Sequence, residues 1–161
     1  MAVPAAPSGA DPTATLMALF RQLHQQFRDE LEGLGDDAIN WVPAAGANSI
    51  AVIVTHVVGS ETETLRCVAG VPCQRDRDAE FADRTLTRRE VLLLLDGADD
   101  LLVELEPRMD AQRLMADLSL PTLPDEETRP GLTWLVGNYG HAREHIGQIQ
   151  LTKQLYHRPP D

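Results

Sequence analysis

Positive charge is scarce in this sequence. Its 161 residues carry 14 Lys plus Arg against 25 Asp plus Glu, a formal net charge of −11 at pH 7. Phosphate backbones and anionic membrane surfaces are bound by basic faces, so nucleic acid and membrane are both excluded as expected partners. Lysine is almost absent: Lys153 is the single one, and every other basic residue is arginine. Aromatics make up only 4% of the chain, which leaves Leu, Val and Ala to fill the core. Cysteine is limited to Cys67 and Cys73, whose spacing is not that of a CxxC pair. Two reduced thiols in a cytoplasmic protein are expected, and a disulfide scaffold is excluded. No apolar run approaches the roughly 20 residues of a membrane span. The stretch Met1 to Asp11 lacks the basic start and apolar centre of a signal peptide. Strand-like alternation, internal repeats and low-complexity tracts beyond the Ala- and Pro-rich first residues are also missing.

What the chain does contain is apolar periodicity of helical type. Hydrophobic residues make up 43%, an ordinary globular share, and the length suits one domain with a proper core. Residues 1–10 read as a loose tail and 11–157 as the domain. Asp11-Pro12 reads as an N-cap followed by proline at the first helical position. Leu16, Leu19, Phe20, Leu23, Phe27 and Leu31 then recur at helical spacing until Gly33 and Gly35. A connecting loop follows over 34–48. Asn48 or Ser49 caps a second helix with Ile50, Ile53, Val57, Thr64 and Val68 on one stripe, stopped by Gly70 and Pro72. Residues 71–86 are charged and irregular. Thr87-Arg88-Arg89-Glu90 is a capping box that opens a third helix, which ends at Pro107. Met109, Leu114, Met115 and Leu118 suggest a short helical turn on the bundle, and a last helix runs from about Leu132 to Tyr156. The predicted helices lie near 12–32, 49–69, 87–106 and 131–156. Four amphipathic helices in one domain make an all-α four-helix bundle the economical fold, with long connections after the first and third helices.

Five histidines are distributed over this frame: His24, His56, His141, His145 and His157. His24 and His157 read as solvated. His141 and His145 lie four apart on the last helix, which puts both on one face with Cβ atoms roughly 5–6 Å apart. Two imidazoles so placed can share one ion, each at about 2.0–2.1 Å. His56 sits within the apolar arc of the second helix, where a histidine needs a partner. Either it is a satisfied core residue, or it faces the last helix and supplies a third nitrogen. Such an ion can be bridged only if the ring nitrogens approach to about 4 Å. Three neutral imidazoles leave coordination positions open, the mark of a reactive rather than structural site, and a water or thiol bound there would be acidified. Glu63 lies seven residues after His56 on the same stripe. It is either a proton-handling or supporting carboxylate or a plain surface glutamate.

At Asn40-Trp41-Val42-Pro43, then Gly46-Ala47-Asn48-Ser49-Ile50-Ala51 and His56, the sequence resembles the DinB/YfiT-like superfamily. The pattern His141-x-x-x-His145-x-Gly147-Gln148 is similar to the end of that family's last helix. The likeness runs from Leu16 to Leu155, although 71–130 match only in helix order. It implies a four-helix bundle of unusual helix order, a homodimer, and a three-histidine site for nickel, zinc or a similar divalent ion such as iron or manganese. It also implies thiol-dependent chemistry, as S-transferases or maleylpyruvate isomerases using mycothiol, bacillithiol or glutathione. Some isomerase-like relatives carry glutamate where this chain has His141, which points away from the isomerase reaction.

Three functions compete on this reading. The first is a metal-dependent S-transferase that joins a low-molecular-weight thiol to a small electrophile, with Arg66 or Arg143 available to pair a carboxylate of the thiol. The second is metal-assisted hydrolysis. The third is a non-catalytic, stress-related metal-binding protein. Apolar Leu92, Leu93 and Val103 lie off the main stripe of the third helix and mark a face for self-association.

Overall fold

The computed structural model describes residues 11–82, 85–123 and 128–157. The tail expected over 1–10 lies outside them. Four long helices carry the fold: α1 (Pro12–Leu31), α3 (Ile50–Val68), α5 (Arg88–Leu105) and α7 (Gly131–Tyr156). Three short ones, α2 (Asp36–Asn40), α4 (Arg77–Glu80) and α6 (Ala111–Met115), occupy the connections. Each long helix starts where backbone chemistry dictates. The Asp11 carboxylate accepts from Thr13 N ahead of Pro12, Ser49 Oγ accepts from Val52 N, and Thr87 with Glu90 forms the reciprocal capping box.

The start of α7 has no side-chain cap. Its first amide, Gly131 N, donates instead to Ala116 O at 3.0 Å. A two-residue antiparallel ladder holds this arrangement, with β1 (Asp117–Leu118) paired to β2 (Arg129–Pro130) in the register Asp117 to Pro130 and Leu118 to Arg129. No strand was expected from the sequence; two residues offer no alternation to read. Glycine is required at 131 by close approach, because a Cβ there would meet Arg113 O at 2.9 Å and Val68 Cγ1 at 3.0 Å.

The four long helices form a square. α3 packs against α5 and α7, and α1 packs against the same two, so α1 and α3 face each other across one diagonal and α5 and α7 across the other. Two connections therefore cross the bundle, from α1 to α3 and from α5 to α7, and both are long for that reason. The core follows the predicted stripes: Phe20, Leu23, Phe27 and Leu31 of α1, Ile53, Val57 and Val68 of α3, Leu95, Leu102 and Leu105 of α5, and Leu135, Ala142 and Ile149 of α7 are buried. No helix among the described residues is long and apolar enough to cross a membrane.

One polar cluster sits inside this core, and it corrects the reading of His24. His24 is only 1% exposed. Its Nδ1 lies 2.7 Å from Asp99 Oδ1 on α5, and its Nε2 lies 2.9 Å from Glu61 Oε1 on α3. Glu61 is equally buried, and Arg28 pairs with the outer oxygen of Asp99. His24 falls four residues after Phe20 and three before Phe27, so it belongs to the core face of α1. Burial opposes its charged form, but the two carboxylates outweigh that cost and hold its pKa above the ordinary value. Burial pushes the Glu61 carboxyl up, against the pull of His24.

Removing the imidazole strands a buried carboxylate, so His24→Ala should lower folding stability by about 3–5 kcal/mol in urea unfolding at pH 6. A raised histidine pKa contributes stability that is complete below the unfolded value and is lost as pH rises through the folded one. Chelator-treated wild-type protein should therefore lose stability as pH climbs above about 6.5. An urea midpoint that rises over that window would contradict the assignment.

Candidate metal centre

The capped start of α3 places His56 on its α7-facing side, and α7 presents His141 and His145 one turn apart. His56 Nε2 lies 3.2 Å from His141 Nε2, and His145 Nε2 lies 3.0 Å from the same atom. All three nitrogens are within 4.8 Å of one another. The rings meet edge to face at interplanar angles of 79° to 90°, so their lone pairs converge rather than stack.

Second partners fix the ring orientations. His56 Nδ1 lies 2.9 Å from Glu80 Oε2, and His145 Nδ1 lies 2.8 Å from Gln148 Oε1. Both partners are oxygen acceptors, so the protons belong on Nδ1 and the Nε2 lone pairs point at the common centre. His141 Nε2 can donate to only one of its two neighbours. At least one inward lone pair thus has no proton to meet, and His141 Nδ1 is itself buried without a hydrogen-bond partner. A divalent cation satisfies all three lone pairs at once, and the two separations through His141 are those it requires, below about 4 Å. Burial, together with the charges of His145 and His56, pushes the His141 pKa down to about 4. Burial also lowers that of His56, against the opposing pull of Glu80. Both rings are therefore neutral at physiological pH, the form that ligates metals.

Glu80 was not found in the sequence. It lies on the four-residue α4, within a stretch with no periodicity, 24 residues from His56. Two features hold it in place. Gly59 leaves the space it occupies, since a Cβ at 59 would lie 2.0 Å from Glu80 Oε1. Arg75 Nε and Nη2 donate to its two oxygens at 2.6 and 2.7 Å. Glu63, the sequence candidate, is 1% exposed and holds the other side of Arg75, accepting from its Nη1 at 3.0 Å. It also accepts from Thr122 N at 3.0 Å and Thr122 Oγ1 at 2.5 Å. Glu63 thus reaches the histidines only through Arg75 and Glu80, as a brace.

A cavity of about 350 Å³ opens beside the histidines. His56 and His141 line it, with Ser60, Thr64, Asn138 and Trp134, three arginines (Arg75, Arg77 and Arg129) and the apolar Leu120 and Leu123. No carboxylate and no cysteine appears among its described lining residues. Arg66 and Arg143, the arginines expected to meet a carboxylate, lie elsewhere, and Arg143 donates to Gln26 on the outer face.

This arrangement defines a class: a helical bundle with three inward histidines beside an open cavity. The chain belongs to the family described as protein of unknown function DUF1572, whose profile matches residues 10–158, and that family is DinB-like. YfiT from Bacillus subtilis shares the fold with a TM-score of 0.69 at 13% identity, over 95% of this chain and 92% of that one; it is described as a probable metal-dependent hydrolase with an unusual four-helix bundle topology. A DinB-like protein from Bacillus cereus matches with a TM-score of 0.69 at 13% identity, over 88% and 90% of the two chains. Another from Bacillus subtilis gives 0.68 at 14%, over 91% and 94%. No curated protein matches the sequence.

His141→Ala should abolish most metal uptake, measured by elemental analysis after dialysis against zinc or nickel. Gly59→Ala keeps all three ligands but displaces Glu80, and should weaken metal affinity by about 10–100-fold. Unchanged affinity in Gly59→Ala would remove Glu80 from the site.

Proposed function

We propose that this protein is a divalent-metal-dependent enzyme that transfers a low-molecular-weight thiol to a small electrophile. His56, His141 and His145 would hold the ion, with nickel or zinc the first candidates and iron or manganese next. When bound, such an ion supplies Lewis acidity and lowers the pKa of a thiol or water that reaches it.

The observation that carries the choice of thiol is the absence of a free base or nucleophile in the cavity. Among its described lining residues there is no Asp, Glu or Cys. Glu63 and Glu80 are turned away and tied to Arg75. Cys67 lies outside the lining, and burial pushes its thiol up to about 11, where it is a poor nucleophile. Ser60 Oγ accepts from Asn138 Nδ2 at 3.0 Å and makes no hydrogen bond to a histidine. The nucleophile must come from outside. A thiol ionises near pH 8.5 even when free, whereas water would depend entirely on the ion to lower its pKa, because the described lining provides no carboxylate base.

Within this reading the chain's own residues have defined tasks. Glu80 keeps the proton on His56 Nδ1. Leu120, Leu123 and Trp134 exclude water from one wall. Glu63 holds Arg75, and through it Glu80, in register. Hydrolysis is the second reading, favoured by the description of YfiT. The non-catalytic alternative predicts metal binding without turnover.

Metal-loaded protein should conjugate bacillithiol, mycothiol or glutathione to a small electrophile, and His56→Ala should lose that rate. Turnover of ester or amide substrates without any thiol would favour hydrolysis instead. Inertness toward a broad electrophile panel with all three thiols would favour the non-catalytic reading.

The reading extends to a cytoplasmic homodimer. Leu93 and Val103 on the outer face of α5 are 56% and 65% exposed, whereas Leu92 packs against the core and drops out of that face. A dimer mass by light scattering at micromolar concentration is expected, and Val103→Glu should shift it to monomer.

A further inference from the structure

The cavity beside the histidines contrasts with the rest of the molecule. The chain carries −11 overall, yet three arginines and no carboxylate stand among the described residues lining this one depression. Their situations differ. The Arg75 side chain is 7% exposed, and each of its three nitrogens donates to Glu63 or Glu80. Arg129 lies across the Trp134 ring, 5.1 Å from its centroid. Arg77 is exposed at the rim, lies 5.4 Å from the Phe81 ring centroid, and pairs with no carboxylate among the described residues. Its charge is close enough to help depress the His141 pKa.

A second feature belongs to a residue that lines the same space. Asn138 is 8% exposed, and its Nδ2 donates to Ser60 Oγ, which leaves Oδ1 as an acceptor. That oxygen is buried and has no hydrogen-bond partner. A buried polar atom without a partner costs free energy unless a ligand supplies one. Its missing partner is a donor, an N–H or O–H. The volume is at the low end of small-molecule sites, roughly 300–1,000 Å³.

We infer that this cavity takes a small carboxylate-bearing ligand, with Arg77 holding the carboxylate and Asn138 Oδ1 accepting from a ligand N–H. The inference rests on the reading of the three histidines and this cavity as one site. Arginine's planar fork matches a carboxylate in two parallel hydrogen bonds, and Leu120, Leu123 and Trp134 accommodate a short apolar stem. A thiol that carries an amide and a carboxylate satisfies all three ends of the cavity. A neutral thiol leaves Arg77 unpaired.

The test is direct binding by calorimetry to zinc-loaded protein, without turnover. Four probes separate the groups: N-acetylcysteine, N-acetylcysteamine (no carboxylate), N-acetylalanine (no thiol) and 2-acetoxypropionate (neither thiol nor N–H). N-acetylcysteine should bind about tenfold more tightly than N-acetylcysteamine, and Arg77→Ala should erase that preference while Arg77→Lys keeps part of it. N-acetylalanine should bind more tightly than 2-acetoxypropionate. Arg77 is exposed, so its replacement leaves the fold intact, which an unchanged thermal midpoint verifies. Equal affinities for N-acetylcysteine and N-acetylcysteamine, or an Arg77→Ala protein that still discriminates, overturn the inference while leaving thiol chemistry standing. N-acetylalanine binding as tightly as N-acetylcysteine, with the Arg77 effect intact, removes the thiol reading and keeps the carboxylate subsite. Inorganic phosphate that displaces N-acetylalanine at lower concentration than the probe itself overturns the carboxylate assignment in favour of phosphate esters.

Discussion

Arg75 commits its donors to two buried carboxylates, Glu63 on α3 and Glu80 on α4. Taken alone, each of these charges would be costly to desolvate; together they form a closed, hydrogen-bonded group of net charge −1. The group pins the irregular 69–82 segment onto the helix that carries His56 and sets a carboxylate oxygen 2.9 Å behind that ring. Thr122 adds a third strand of chain by bonding the far side of Glu63. Two connections of the bundle are thus tied to one helix by charge, and the cavity between them takes its walls from both. The same negative charge lies behind the His56 ring, where it would complement a cation held by the three imidazoles.

α1, α3 and α5 were legible because each carries a sustained apolar period and a capping residue at its start; α7 has neither and was read from Pro130 before it and the apolar residues along it. Predicted bounds of 12–32, 49–69, 87–106 and 131–156 differ from the observed ones by a residue at most. The histidine pair was legible because spacing of four on a helix is itself geometry. His56 was legible by its place on an apolar arc. Glu80 and Arg75 were not, because their roles depend on ion pairs across a segment with no period. Glu63 was noticed from its stripe, but the stripe does not say which neighbour the carboxylate meets. His24 could have been read correctly: a residue flanked at four and three positions by Phe20 and Phe27 is inside.

α3 bears two inward polar systems on different faces. Toward α1 and α5 it offers Glu61 to His24; toward α7 and the connections it offers His56 and Glu63. Both involve a histidine against a carboxylate, yet their outcomes are opposite. His24 has carboxylates at both nitrogens, and they hold its pKa above the ordinary value despite its burial. His56 has a carboxylate at only one nitrogen, and burial, with the charges of His145 and Arg75 added, lowers its pKa against the pull of Glu80. The number of carboxylates facing each ring separates a histidine held by two ion pairs from one whose second nitrogen faces two other imidazoles.

That distinction also bears on what the site can do. Glu63 and Glu80 are both paired with Arg75, and no carboxylate stands among the described residues that line the cavity. An incoming nucleophile must either arrive nearly ionised or lose its proton to solvent through the cavity mouth. Low-molecular-weight thiols come near the first condition unaided, whereas water meets it only on a metal ion. The positive rim at Arg77 acts in the same direction, because it stabilises an anion whether the charge lies on sulfur or on a carboxylate. On a chain of net charge −11, three arginines with no carboxylate among the described lining residues make this effect local to the cavity.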